Sequence, residues 1–452
     1  MSQTHQTRAA QAQGAGRALT SGKGRWIANW EPEDPGFWDG PARRIARRNL
    51  IWSVAAEHLG FTVWTLWSVV TVHLSGRGFS ADQLFWLVAL PNLVGAVLRV
   101  PYTFAPARFG GRNWTVVSAL LLTIPAVLLA VAVHNPHTPY WAFLLIAATA
   151  GVGGGNFASS MANITHFYPR AKQGGALGIN AAGGNIGVSS VQLILPWVIS
   201  ALGLAAAGLV WVPLVLAAAL AAWFGMDNLR DARSSVPDQL RVARNGQTWL
   251  VSLLYIGTFG SFIGYSTALP LLIKVSFPEL GLVQYTFVGA LVGSLVRPLG
   301  GMASDRWGGA RVTIWAFATM PVGAAGVVYA LREHNYPLFL ASFLLLFVLA
   351  GVGNGSTYRM VPAIFAARAH RMLGAEHPDA AAQGRRDSAA AIGVISAVGA
   401  LGGFFINRGL GTSIAHTGNA DAAMTVFAVC YALCAALTWY CYGRKGRTYT
   451  DV

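Results

Sequence analysis

Arg99-Val100-Pro101-Tyr102-Thr103-Phe104-Ala105-Pro106-Ala107-Arg108-Phe109-Gly110-Gly111 and Arg297-Pro298-Leu299-Gly300-Gly301-Met302-Ala303-Ser304-Asp305-Arg306-Trp307-Gly308-Gly309 follow one pattern. In each, an arginine lies inside an apolar run and precedes an Arg-aromatic-Gly-Gly turn by the same spacing. A second pair of stretches echoes the first: Gly151-Val152-Gly153-Gly154-Gly155-Asn156 and Gly351-Val352-Gly353-Asn354-Gly355-Ser356. The arginine stretches are offset by 198 residues and the glycine stretches by 200. Two concordant offsets in one chain mark a duplicated half.

The composition says what the halves are made of. The chain has 452 residues, 54% hydrophobic and 11% charged, with a mean hydropathy of +0.49. A soluble domain carries about 25% charged residues, so a water-facing surface is excluded. The apolar residues fall into twelve blocks: 51–73, 82–105, 113–133, 140–163, 174–199, 203–225, 248–274, 282–303, 311–331, 337–365, 389–411 and 421–442. Each is long enough for a hydrocarbon core of about 30 Å. A spanning backbone must satisfy its own hydrogen bonds, which leaves helices or a closed barrel. Barrel strands alternate in polarity over short segments; these blocks are continuously apolar, so helices are expected. The 52 glycines suit close helix packing in lipid. Cys430, Cys434 and Cys441 all fall in the last block and read as packing residues, with no disulfide framework or metal spacing.

A net charge of +15 raises the possibility of nucleic acid, but the cations are sorted by membrane side rather than clustered on a soluble module. Of the 32 lysines and arginines, 25 fall in the tails and on one side. The opposite loops hold four (Arg77, Lys274, Arg332 and Arg408), and Arg99, Arg297 and Arg359 lie within helices. This bias places both termini in the cytoplasm. No cleavable signal peptide is expected, because the first 50 residues are polar and basic. The expected organisation is a basic tail over 1–48, a six-helix bundle over 49–226, a polar linker over 227–247, a second six-helix bundle over 248–443 and a short tail over 444–452. The linker carries Asp227, Arg230, Asp231, Arg233, Pro237, Asp238, Arg241 and Arg244, and a second polar loop spans about 366–388. The start of the basic tail has the composition of a disordered segment, while Trp26, Trp30, Phe37 and Trp38 could lie along the membrane interface.

An arginine in mid-membrane costs roughly 2.5–3.5 kcal/mol on insertion scales. Arg99 and Arg297 hold equivalent places in the two halves, each about six residues, or roughly 9 Å, from the cytoplasmic end of its apolar block. Facing each other across a two-fold interface in a dry cavity, they require an anion. A guanidinium fork meets two oxygens of a small planar oxyanion at once. The alternatives are snorkelling to the headgroups or pairing with a carboxylate. Around them, Gly151–Gly155, followed by Asn156, Phe157, Ser159, Ser160 and Asn163, and the run Gly174 to Val188 read mostly as close helix packing. Packing does not ask for Asn180 and Asn185, whose amides could donate to an oxyanion. Asn163-Ile164-Thr165 matches a glycosylation sequon at the cytoplasmic boundary and is set aside.

The stretch 151–192, with Gly154-Gly155-Asn156-Phe157-Ala158-Ser159-Ser160-Met161, Phe167-Tyr168-Pro169 and Gln173 to Val188, resembles the nitrate signature of the nitrate/nitrite porter family (NarK-type) of the major facilitator superfamily. Gly353-Asn354-Gly355-Ser356-Thr357-Tyr358-Arg359-Met360-Val361-Pro362 resembles its counterpart in the second half, and the likeness covers about 48–443 without the basic tail. The glycines Gly174, Gly178, Gly353 and Gly355 and the side chains Asn156, Asn180, Asn354 and Arg359 belong to these signatures. The resemblance implies an all-α membrane protein of the major facilitator fold, with substrate held between pseudo-symmetric halves near the midplane. It implies that Arg99 and Arg297 clamp the anion and that Phe157, Asn185, Tyr255 and Phe259 line the pocket. Tyr255 and Phe259 share a helix face. The turn around Asp305 and Arg306 resembles the superfamily's cytoplasmic gating loop, whereas Ala107 replaces the usual aspartate in the first half. Arg359 either binds anion or ties segment 10 to segment 11.

Glu57 is the one carboxylate placed deep in a helix, at a depth near that of Arg99 and Arg297; adjacent His58 points about 100° away. It leaves two coupling schemes open. In nitrate/nitrite exchange the arginines never reset without an anion. In nitrate/proton symport, two arginines with ionised Glu57 carry net +1, and two arginines with nitrate and protonated Glu57 also carry net +1. Glu57 could instead be a structural partner of Arg99 or of backbone. The partners expected are nitrate or nitrite, protons, and the lipid bilayer of the cytoplasmic membrane; neither nucleic acid, a cofactor nor a metal is expected, and a monomer suffices. A membrane enzyme would need a catalytic set, yet His58 and His73 stand fifteen residues apart with nothing clustered on them. An anion channel or a facilitator-fold carrier of another anion, such as an organic acid, remain the rival readings.

Overall fold

The computed structural model describes residues 21–22, 24–230, 232, 241–280, 285–374, 377 and 379–444. The start of the basic tail, Asp231, Arg233, Pro237 and Asp238 of the linker, and the end of the chain from Lys445 lie outside the described residues. Eleven helices among the described residues are long and apolar enough to cross a membrane: α2 (Ala81–Phe109), α3 (Gly111–His134), α4 (Tyr140–Phe167), α5 (Arg170–Leu202), α6 (Ala206–Gly225), α7 (Gly246–Ser276), α8 (Thr286–Trp307), α9 (Gly309–Arg332), α10 (Tyr336–Leu373), α11 (Ala380–Thr417) and α12 (Asp421–Gly443). Helix α1 precedes them in two pieces, Arg43–Trp64 and Trp67–Leu74. Four arginines dilute its first piece and a break at Thr65–Leu66 shortens its second. Hydroxyls accommodate that break: Thr65 donates to the Phe61 carbonyl at 2.8 Å and Ser68 to that of Thr65 at 2.7 Å.

The helices overrun the apolar blocks. Helix α1 starts at Arg43 rather than near 51, α2 continues to Phe109, and α8 continues to Trp307. The polar loop expected over 366–388 is largely helical, because α10 reaches Leu373 and α11 begins at Ala380. Hydropathy marks the hydrocarbon layer, whereas a helix ends where its backbone is capped or broken. In both halves that break is a glycine in a conformation only glycine adopts readily: Gly110 at φ +89°, ψ 141° and Gly308 at φ +87°, ψ 136°. The repeated Arg-aromatic-Gly-Gly pattern is thus a repeated backbone turn. With the longer helices, Arg99 and Arg297 sit ten residues from their helix ends, roughly 15 Å rather than 9 Å.

Two-fold related helices build the seam between the halves: α2 packs on α11, α5 on α8, and the second piece of α1 on α7. On one side of Arg99, polar bonds cross this seam. Asn92 Nδ2 donates to Thr267 Oγ1 at 3.3 Å, Gln192 Nε2 to the Ser266 carbonyl at 2.5 Å, and Arg408 pairs with Asp82 at 2.9 Å. Arg408 also lies 4.2 Å above the Trp86 ring. Toward the arginine-rich face, no side-chain hydrogen bond or ion pair among the described residues joins the two halves.

The aromatic stretch of the tail packs against the first six-helix half. Strand β1 (Ser21–Gly22) pairs antiparallel with β2 (Trp26–Ile27), which pairs in parallel with β3 (Asn228–Leu229) just after α6. Trp30 and Trp38 are buried, 5.4 Å from the rings of Phe167 and Tyr168 respectively. Asp227 anchors the arrangement, accepting from Arg25 at 2.9 Å, Arg48 at 2.6 Å and Asn49 at 3.0 Å. Backbone pairing and a carboxylate buried among three donors hold Trp30 and Trp38 against protein.

Candidate functional site

Helices α2, α4, α7, α8 and α10 meet around Arg99 and Arg297. Small residues permit the approach. Gly95 and Gly154 face each other so closely that a Cβ on Gly154 would stand 2.8 Å from the Gly95 Cα, and one on Gly355 would overlap the Arg297 carbonyl. In α7 the helix widens into a π-turn at Ile256–Gly260, a distortion frequent at functional sites. Gly399 and Gly402 of α11 give Tyr255 and Gly260 room. The glycines of the first signature are not uniform: Gly183, Gly184 and Gly187 face α1 closely, whereas Gly174, Gly175 and Gly178 have nothing near.

Both arginines are buried, Arg99 fully and Arg297 with 6% exposure. They share one ring: the Phe157 centroid lies 4.6 Å from the Arg99 guanidinium carbon and 5.9 Å from that of Arg297, so the two carbons are at most about 10.5 Å apart. Phe259 lies 4.9 Å and Trp64 5.6 Å from the Arg99 carbon, and Tyr358 lies 5.6 Å from that of Arg297. The rings themselves are layered, with Tyr255 on Phe259 at 5.3 Å and 11°, and Phe259 on Phe157 at 6.2 Å and 27°. Arg99 Nε donates to the Gly154 carbonyl at 3.2 Å and Nη1 to the Ser396 carbonyl at 2.9 Å. Arg99 Nη2 and Arg297 Nη1 have no hydrogen-bond partner, and neither do the hydroxyls of Tyr255 and Tyr358 or the side-chain amides of Asn156 and Asn185. Buried donors are rarely left unmade, which makes these groups candidates for contact with a bound anion. A bidentate guanidinium holds the centre of a small oxyanion at about 4 Å. Two flanking forks need about 8 Å between carbons, within the limit observed.

Glu57 is buried beside this set but forms no ion pair among the described residues, with Arg99 or any other cation. Asn180 Nδ2 donates to its Oε2 at 2.7 Å, and its Oε1 is unpartnered. Asn180 also donates to Ser160 Oγ at 2.6 Å, and Ser160 bonds Ser53 at 2.8 Å. Its two N–H groups are therefore spent on Glu57 and Ser160, and Asn180 is not available to an oxyanion. Asn354 is buried with its carbonyl oxygen unpartnered. Arg359 is half exposed, and its Nε pairs with Asp305 Oδ1 at 2.5 Å, which ties α10 to the end of α8 rather than to α11. The matching first-half positions are Ala107 and Ser159, so this ion pair belongs to one half alone. Arg306 rests over Trp307 at 5.8 Å.

The sequence matches the family model of the Major Facilitator Superfamily over residues 58–403. It is 44% identical to the nitrate/nitrite transporter NarU of Escherichia coli (strain K12) over 93% of this chain and 96% of that protein. It is 38% identical to the probable nitrate/nitrite antiporter NarK2 of Thermus thermophilus over 95% and 99% of the two chains. The chain belongs to the nitrate/nitrite porter family of the Major Facilitator Superfamily. Among solved structures it resembles the D-xylose-proton symporter (TM-score 0.64, 17% identity, 86% of this chain and 96% of that one) and the inward-open xylose transporter XylE of E. coli (TM-score 0.64, 16% identity, 91% and 98%), which shows the fold. This porter is accordingly an all-α, multi-pass membrane protein.

Three members of the porter's site were not singled out from sequence. Trp64 sits where α1 breaks and covers Arg99. Tyr358, within the second signature, covers Arg297 beside Tyr255. Ser396 offers a backbone carbonyl from α11. Tyr358 had a legible signal in its place next to the conspicuous Arg359. A main-chain acceptor has none, since any residue could supply it.

Proposed function

We propose that this porter carries nitrate and nitrite across the cytoplasmic membrane by alternating access, with the anion held between Arg99 and Arg297. The observation that carries the reading is the pair of buried guanidiniums on one Phe157 ring, each with an unpartnered N–H. Its kinship with relatives named as nitrate/nitrite transporters supports the choice of anion. The aromatic layers exclude water, which strengthens the charge-assisted bonds. The arginine-rich face is the cytoplasmic one, both termini lie there, and a monomer performs the cycle. Among the described residues, the polar bonds that join the halves lie at Arg99, which reaches the Ser396 carbonyl, and on the far side from the arginine-rich face. The two six-helix bundles, 49–226 and 248–443, rock about the fixed anion. Uptake of labelled nitrate into proteoliposomes, competed with nitrite, chlorate and carboxylates, tests the cargo. Nitrite and chlorate should compete and carboxylates should not; competition by carboxylates alone would replace nitrate with an organic acid.

Glu57 favours proton-coupled entry. A buried carboxylate without an ion pair can balance the empty arginines, and nitrate arriving with a proton replaces that negative charge at constant total charge. Anion entry otherwise works against about 2.3 kcal/mol per 100 mV. In this scheme the hydrogen bond from Asn180 orients the carboxyl, and Asp305 with Arg359 braces the gating turn of the second half.

A further inference from the structure

We infer that the arginine-rich end of α1 carries a binding groove for an anionic glycerophospholipid, whose phosphate seats on Arg44 and Arg47. A surface groove of about 420 Å³ is lined by Arg44, Arg47, Arg48, Ile51 and Trp52. These positions, three, four and seven apart, form one stripe of the helix. Arg48 is committed to Asp227 at 2.6 Å. Arg44 and Arg47 make no hydrogen bond or ion pair among the described residues, so the groove holds two uncompensated guanidiniums. Guanidinium forks suit phosphate oxygens. One to two turns deeper, Ile51 is half exposed and Trp52 packs on Gly225 of α6, while Trp223 and Phe224 expose their rings at the same end of α6.

Cation, then aromatic, then aliphatic side chain is the order of chemistry met on passing from headgroup to acyl chain. A soluble anion would use the arginines and gain nothing from the apolar wall below them; a lipid uses both, so the occupant is a lipid of the leaflet. The inference does not depend on which anion the porter carries.

Native mass spectrometry of the full-length protein with added phosphatidylglycerol or phosphatidylcholine tests it. The wild type and a charge-matched control, R385Q/R386Q, should retain phosphatidylglycerol. R44Q/R47Q should retain it roughly 30-fold less, from about fivefold per arginine, with phosphatidylcholine binding equal in all three. Millimolar inorganic phosphate should not displace the lipid. A wild-type measurement guards against misfolding of the variant: hydrogen exchange over residues 43–52 should slow in phosphatidylglycerol nanodiscs relative to phosphatidylcholine ones. Equal retention by R44Q/R47Q, equal loss in the control, displacement by free phosphate, or identical exchange in the two lipids would each overturn the proposal.

Discussion

Replacing Arg99 by lysine tests whether the clamp works by fork geometry or by charge alone. The Arg99 guanidinium donates to the Gly154 carbonyl through Nε and to the Ser396 carbonyl through Nη1, while Nη2 stays free beside Phe157. A lysine keeps the charge, but a single ammonium cannot reach carbonyls on α4 and α11 and also offer a donor to the anion. One charged hydrogen bond is worth about 1.5–3 kcal/mol, which is roughly 10- to 150-fold in affinity. The KM for nitrate in counterflow, measured in proteoliposomes loaded with unlabelled nitrite, should therefore rise by about that factor in R99K. Folding is checked by an unchanged elution profile in detergent. Arg297→Lys should behave likewise, since its free Nη1 faces the same ring. A nitrate KM in R99K within twofold of wild type would refute the fork argument, because then a point charge would suffice.

Glu57→Gln should abolish nitrate uptake driven by an acid-outside pH gradient and leave nitrate/nitrite exchange near wild type, read from the two modes in the same vesicles; undiminished pH-driven uptake removes Glu57 from coupling. Gly355→Ala puts a methyl against the Arg297 carbonyl and should cost about 1–3 kcal/mol through overpacking, seen as a lower thermal midpoint in detergent. Gly174→Ala, with open space at its Cβ, should be neutral, and equal behaviour of the two glycines would contradict the packing described. Asp82→Asn breaks the pair with Arg408 that joins the halves. A partly exposed pair contributes about 0.2–1 kcal/mol, so thiol labelling of Val88→Cys on that seam, in a background lacking Cys430, Cys434 and Cys441, should rise up to about fivefold; no rise would show that the pair does not hold the seam shut.

Much of the architecture was legible because membranes impose a simple rule. Apolar length reveals a spanning helix, and the 198- and 200-residue offsets reveal the duplication. Helix ends were less legible: Arg43 to Arg48 and residues 366–373 are polar yet helical, since hydropathy reports the solvent rather than the backbone. Within the site, Arg99 and Arg297 stood out through the cost of burying charge, and the fourfold spacing of Tyr255 and Phe259 placed their rings together even across a π-turn. Polar side chains near them were not legible in the same way. Asn180 and Asn185 are five residues apart on α5, yet one is consumed by Glu57 and the other has both amide atoms unpartnered.

From sequence alone came twelve apolar segments, a duplicated half, two arginines in equivalent buried places and the signatures that carry the likeness to the nitrate/nitrite porters. The segments and the buried arginines follow from composition along the chain, where the energetic cost of a residue in lipid depends mainly on its type and depth; the duplication follows from repeated spacing, and the signatures from resemblance to the family. Tertiary structure alone decided who meets whom. It placed both guanidiniums on Phe157, bonded Arg99 to a carbonyl 297 residues away, gave Arg359 to Asp305 and buried Trp30 and Trp38 against the first half. Those pairings depend on helix rotation and crossing, which change a side chain's neighbours without changing its hydropathy.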